Sequence, residues 1–213
     1  MTELMIGALR DTLVMVFFST LISCLIGIPI GIILIMTRKD GLSENLVLYR
    51  ILDSVINILR SVPFVILMIV LFPISRIIVG TTIGTKGVIV PLSIAAAPFV
   101  ARMAEQTLLE VDRGVIEAAK AMGSTNTEII RKVLLPESMP SLVNMLAITT
   151  INIIGYTAMA GVIGGGGLGE IALRFGLYRY ENDKLYVSVI LIVLLVQLVQ
   201  FAGTRISTGL NKK

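Results

Sequence analysis

Residues 12–37 read TLVMVFFSTLISCLIGIPIGIILIMT, 26 positions without a charge between Asp11 and Arg38. Coiled as a helix, Leu13 to Met36 reaches about 36 Å, enough to cross roughly 30 Å of bilayer hydrocarbon. An apolar helix of that length has no use in a soluble core, so the chain is read as membrane-embedded. The composition agrees. Of 213 residues, 55% are hydrophobic and 15% charged, against about 25% charged in soluble domains, and the mean hydropathy is +0.93. No basic stretch precedes this run, which is also too long for a signal-peptide core, so an uncleaved span is expected.

Four further apolar runs follow. Ser61–Ser75 and Gly87–Ala101 hold 15 uncharged residues each, only about 22 Å of helix. Either their flanking Arg and Lys side chains snorkel, or the pair forms a re-entrant hairpin. Ser138 to Gly169 gives 32 uncharged residues, too many for one straight span. The glycines at 164–167 should break it and leave a fourth span near Pro140–Ala160. Leu185–Thr204, with 20 uncharged residues, is the fifth. Pro29, Pro63, Pro73 and Pro98 lie within or beside spans, where each removes a backbone hydrogen bond and can kink a helix. The expected fold is all-α: an integral membrane protein of five transmembrane helices, one domain over residues 1–213.

Five spans put the termini on opposite faces. Twelve basic residues, Arg38, Lys39, Arg50, Arg60, Arg102, Arg113, Lys120, Arg131, Lys132, Arg205, Lys212 and Lys213, share one face. Six, Arg10, Arg76, Lys86, Arg174, Arg179 and Lys184, share the other. The positive-inside rule makes the first face cytoplasmic, with the N-terminus outside and the C-terminus inside. The net charge of +4 then reflects topology, not nucleic-acid binding. With no His and the single cysteine Cys24, Ser-His-Asp chemistry, His metal sites and an intrachain disulfide are excluded. No acidic residue lies deep in a predicted span, which argues against a proton- or sodium-coupled carrier.

The largest cytoplasmic connection runs from about Arg102 to Glu137, and residues 113–140 read RGVIEAAKAMGSTNTEIIRKVLLPESMP. A helix over Val115–Met122 is only about two turns, too short to be stable without a partner surface. Ala118, Ala119 and Ala121 keep its side chains small, and Gly123 is placed as a left-handed C-terminal cap. Thr125 and Glu128 have capping-box spacing for a second helix, with Ile129, Ile130, Val133 and Leu134 at helical intervals, ended or kinked by Pro136. Spacing alone fits a plain helix-turn-helix connector at the membrane surface.

The residues also resemble the EAA loop of permease subunits of binding-protein-dependent type I ABC importers. Its pattern is E-A-A, three residues, G, nine residues, I-x-L-P. Here Glu117-Ala118-Ala119 is followed after three residues by Gly123, and after nine more by Val133-Leu134-Leu135-Pro136. Val133 in place of Ile is the one departure. Arg60-Ser61-Val62-Pro63-Phe64, Ala95-Ala96-Ala97-Pro98-Phe99 and the GVIGGGGLG of Gly161 to Gly169 with Glu170 are similar to the methionine-uptake permease family.

The resemblance implies a coupling helix seated on a separate cytoplasmic ATPase. Glu117 and Lys120 would be its polar groups, Ala118 and Ala119 its close-packing face, Gly123 the turn, and Leu135 and Pro136 the end of the segment at 113–136. It further implies a homodimer, two ATPase subunits that bind ATP and Mg, and an extracytoplasmic substrate-binding protein. The chain itself would hold no cofactor, catalyse no covalent step and bind no nucleic acid, and would sit multi-pass in the cytoplasmic membrane of a prokaryote. The glycine run lacks the Gly-Lys-Ser/Thr ending of a P-loop, so ATP must be bound elsewhere. It is read as a flexible or tightly packed external turn.

The fourth span is rich in polar groups, Asn144, Thr149, Thr150, Asn152, Tyr156 and Thr157. Such groups face protein or water, either as interhelical hydrogen bonds or as a pathway. Asn144, Met145, Asn152, Tyr156 and Met159 are the candidate pathway-lining residues. Methionine import stands against two rivals, a permease for another small solute such as a quaternary amine, and an ion-coupled secondary carrier.

Overall fold

The computed structural model describes residues 2–211; Lys212 and Lys213, counted above in the charge balance, lie outside the described residues. Among the described residues the chain is helical throughout, with no strand. Four helices are long and apolar enough to cross a membrane, and a fifth crossing exists if the bent pair Leu46–Ser61 and Phe64–Val79 counts as one span.

Helix α1 spans Thr2–Thr37, about 54 Å at the usual rise, so the apolar run marks where hydrocarbon ends and not where the helix does. Arg10 and Asp11 lie within it. The expected second run, Ser61–Ser75, falls mostly in α3, Phe64–Val79, which meets the preceding helix α2, Leu46–Ser61, at a bend of 110°. The break is local chemistry. Val62 precedes Pro63, whose ring disfavours helical backbone in the residue before it, and Val62 is extended at φ −78°, ψ 130°. The other half, α2, escaped the apolar-run reading because Arg50, Asp53 and Arg60 interrupt it.

The third span is not half of a short hairpin. Helix α4 runs Gly84–Leu109, about 39 Å, continuing well past Ala101 through Arg102 and Glu105. Helix α8, Met139–Ala160, and α10, Asn182–Leu210, contain the expected fourth and fifth spans. Between α4 and α8 lies the connection expected on the cytoplasmic face, which begins only after Leu109.

The central pairing is α1 against α4. Gly27 and Gly31 stand one turn apart on α1. A Cβ on the first would lie 2.6 Å from Val100 Cβ, and on the second 2.7 Å from Ala104 Cβ. Small residues at this spacing let two backbones approach where lipid supplies no hydrophobic drive. Met15, Met68, Val88, Leu92 and Ala160 fill the core between α1, α3, α4 and α8. The glycine run is packed, not loose. Gly167 has φ +80°, and a Cβ there would meet Thr12 Oγ1 at 2.6 Å. The next amide, Leu168 N–H, donates to Thr12 Oγ1 at 2.9 Å. Short α9, Gly167–Ile171, follows.

Candidate coupling site

After α4, residues 110–112 lead into α5, Arg113–Ala121. It starts two residues before the expected Val115 because Asp112 caps it: Gly114 N–H donates to Asp112 Oδ1 at 2.6 Å. At its other end Gly123 takes φ +84°. Gly123 N–H donates to Lys120 C=O at 2.9 Å and Ser124 N–H to Ala119 C=O at 3.1 Å, the paired bonds of a Schellman cap.

The chain restarts at once. Thr125 N–H donates to Glu128 Oε2 at 3.1 Å, and Glu128 N–H to Thr125 Oγ1 at 3.4 Å, closing the capping box at the head of α6, Asn126–Glu128. Lys132 Nζ donates to Glu128 Oε1 at 3.0 Å. That bond, with those from Thr125, holds the Glu128 carboxyl down at about 2. The helical stretch carrying Pro136 ends one residue later, at Glu137, and is distorted before the proline. Residues Ile129–Leu134 widen into a π-turn, with Leu135 N–H bonded to Ile130 C=O, before α7, Leu135–Glu137. A widened turn relieves the crowding that a proline imposes on the carbonyl four residues earlier, here that of Lys132.

Helix α5 has two faces. Ala119 is 3% exposed, and Ile116 packs against Ile35 and Leu108, at the C-terminal ends of α1 and α4, and against Leu134. Glu117, Ala118, Lys120 and Ala121 are exposed, and Met122 is 80% exposed. The sequence treats Ala118 and Ala119 as one close-packing face, but the structure buries Ala119 and leaves Ala118, about 100° round the helix, exposed. Ile116, the anchor, was missed although Ile116 and Ala119 stand at i, i+3. Leu135 is half-buried in the same cluster, while Gly123 and Pro136 are exposed. Asn126 Nδ2 donates to Leu42 C=O at 3.0 Å and Ser43 Oγ at 2.9 Å, joining the segment to the α1–α2 loop.

On α8, Asn144, Asn152 and Met159 fall on one helical face together with exposed Gly155. Tyr156 sits at the edge of that face, its ring stacked on Phe64 at 3.9 Å between centroids. Met145 does not join them. At 2% exposure it packs among Cys24, Val100 and Ala104.

One set of charges was not anticipated. Glu105 is 3% exposed on α4, one turn before its end at Leu109 and beyond the apolar run that closed at Ala101. The span simply continues beyond the point where Arg102 seemed to end it. Arg102 Nη1 donates to Glu105 Oε2 at 2.6 Å and Nη2 to Asn57 Oδ1 at 3.1 Å, and Nη2 also pairs with Asp53. Tyr49 Oη donates to Glu105 Oε1 at 3.3 Å. The acid is thus compensated by a neighbour that sequence reading had treated as a boundary.

The family model "binding-protein-dependent transport system inner membrane component" matches residues 27–213. The chain belongs to this family. Among its relatives, a probable D-methionine transport system permease protein MetI of Vibrio cholerae is 49% identical over 202 residues, covering 95% of this chain and 90% of that one. The D-methionine permease MetI of Escherichia coli K12 is 46% identical over 213 residues, covering 100% and 98%. A chain of the MetNI methionine ABC transporter, solved in inward-facing conformations, superposes with a TM-score of 0.97 at 45% identity, covering 99% and 97%. An amino acid ABC transporter described with histidines, 22% identical with a TM-score of 0.73, shares the fold.

Proposed function

We infer that this chain is the permease subunit of an ATP-driven methionine importer. The observation that carries the reading is near-complete coverage by methionine permeases at 46–49% identity, joined to the superposition on a MetNI chain. It is a transport subunit, and ATP hydrolysis belongs to a separate ATPase. Both rivals, another small solute and ion-coupled transport, lose to that agreement.

The finer arrangement follows from the same reading. Residues 1–213 form one domain crossing the membrane five times, with α2 and α3 as one broken span, the N-terminus outside and the C-terminus in the cytoplasm. Two copies form a homodimer, because one chain offers one α5 while an ATP-binding-cassette engine works as a pair. Each α5 docks on an ATPase subunit that holds ATP and Mg, through exposed Glu117, Ala118 and Lys120, with Gly123, Leu135 and Pro136 fixing its pose. The exposed face of Asn144, Asn152 and Met159, edged by Tyr156, lines the pathway, and Met145 supports it from behind. An extracytoplasmic binding protein delivers the amino acid. Movement of the ATPase pair becomes movement of α5 and then of the spans.

The test is co-purification with the ATPase and reconstitution in proteoliposomes with the binding protein, reading uptake of each methionine enantiomer with and without ATP. ATP-dependent uptake that unlabelled methionine competes away is expected. Uptake driven by an ion gradient without the ATPase refutes the importer; competition by other solutes but not by methionine refutes the substrate.

A further inference from the structure

The cluster of Tyr49, Asp53 and Asn57 on α2 with Arg102 and Glu105 on α4 has no part in the docking of α5. Ionisable groups within a span are costly and persist where they pair with one another or face water. Here the pairing runs between two helices. Arg102 bonds Asp53 and Asn57 on α2 and Glu105 on its own helix, and Glu105 is bonded in turn by Tyr49 of α2. Asn57 Nδ2 completes the ring with a 3.1 Å bond to Asp53 Oδ2. Leu34, Ile56 and Ala101 pack beside it.

Its place in the chain is informative. Arg102 lies about 10 Å of helix before Leu109, and only residues 110–112 separate that end from α5. Displacement of α5 therefore enters α4 directly. Asn126 joins the coupling segment only to the loop before α2; the cluster fastens the body of α2 to α4, and the far end of α2 meets the extended Val62 and Pro63 at the 110° bend. Arg102 and Glu105 are largely buried while Asp53 is 31% exposed, so the fastening is directional and removing one of the two α4 charges leaves the other unpaired in low dielectric.

We propose that Arg102 and Glu105 are positioning residues of the transport cycle: they clamp α2 to α4, so that motion entering at α5 carries α2 with it and flexes the second span at Val62–Pro63. The inference rests on the reading of α5 as the docking helix.

The test uses the assembled transporter in proteoliposomes with the binding protein, reading methionine uptake and ATP hydrolysis on the same vesicles. Arg102→Gln and Glu105→Gln should assemble with the ATPase and hydrolyse ATP within about twofold of the parent, while uptake falls about tenfold, inside the usual range of coupling energies. The ATP spent per methionine rises accordingly. A Cys24→Ser chain carrying Asp53→Cys and Arg102→Cys should be similarly uncoupled. Joining the two thiols with a short bifunctional reagent should restore uptake. Uptake and hydrolysis falling in proportion, an unchanged ratio, or a joined pair that stays uncoupled each overturns the clamp. Should Arg102→Gln fail to assemble, Asp53→Asn and Tyr49→Phe trim the cluster from α2 alone and are judged the same way. The docking reading fails separately, when exposed-face variants of α5 leave ATPase binding untouched.

Discussion

Gly123 offers a graded test of whether α5 must be capped in order to dock. Its φ of +84° is a backbone state that costs an L-residue about 1–2 kcal/mol, and a Cβ there would meet nothing within 4 Å. Substitution therefore acts through the backbone and not through bulk. Asn tolerates the left-handed state better than Ala. Pro cannot reach it, and also removes the N–H that donates to Lys120 C=O at 2.9 Å. If docking selects the capped helix, apparent affinity falls with the capped fraction. The ceiling for Gly123→Ala is then about 5- to 30-fold, from tenfold per 1.4 kcal/mol, with Gly123→Asn smaller. Gly123→Pro, at about 3 kcal/mol or more, exceeds 100-fold. The assay is titration of the ATPase onto permease in nanodiscs, with uptake in parallel. An affinity order other than Gly, Asn, Ala, Pro refutes the reasoning, as does normal docking of Gly123→Pro.

Neighbouring alanines should separate fold from docking. Ala119→Leu overpacks a buried site and should cost about 1–3 kcal/mol, seen as a lower Tm of the purified permease, whereas Ala118→Leu should leave Tm unchanged and weaken ATPase binding. The reverse pattern would mean the two faces are misassigned. At the glycine run, Gly167→Ala meets both a positive φ and Thr12 Oγ1 at 2.6 Å, so it should lower stability by about 2–4 kcal/mol. Gly7→Ala, with open space around it, should stay within about 0.5 kcal/mol, and equal Tm values for the two would refute the packed turn. Glu128, held down to about 2 by Lys132 and Thr125, should titrate near there by carboxyl NMR and return toward its ordinary value in a Thr125→Ala, Lys132→Ala chain. A depressed carboxyl contributes stability in full above its unfolded value and loses it as pH falls through the folded one. The capping of α6 should therefore weaken between about pH 4.5 and 2, and a midpoint unmoved by both substitutions would contradict the cap.

What could be read from the sequence was local. The cap at Gly123 and the box of Thr125 with Glu128 involve residues within five positions of one another, so spacing alone specifies their bonds, and the structure forms them. Long uncharged runs located α1, α8 and α10 for the same reason: bilayer thickness is a fixed external ruler. The break between α2 and α3 was half legible, since Pro63 stood in view, but its angle depends on how α2 packs. The burial of Ala119 beside an exposed Ala118 was half legible: Ile116 and Ala119 at i, i+3 mark one face, but the residues that cover Ile116, namely Ile35, Leu108 and Leu134, lie elsewhere in the chain.

The misread length of α4 has a more general cause. A charge need not end a helix where it finds a partner; Arg102 and Glu105, three residues apart on one helix, are answered by Asp53 and Tyr49 on another, and α4 runs on to Leu109. Counting uncharged residues assigns each charge to water one at a time, so it shortens every span that carries a neutralising pair. The 15 uncharged residues of Gly87–Ala101 fell short of the bilayer by about the one to two turns that the pair adds back. A short apolar run beside an Arg and a Glu at i, i+3 is thus a sign of a full-length span with a charged partner helix against it. In this chain that partner is α2, the one long helix the apolar runs failed to announce.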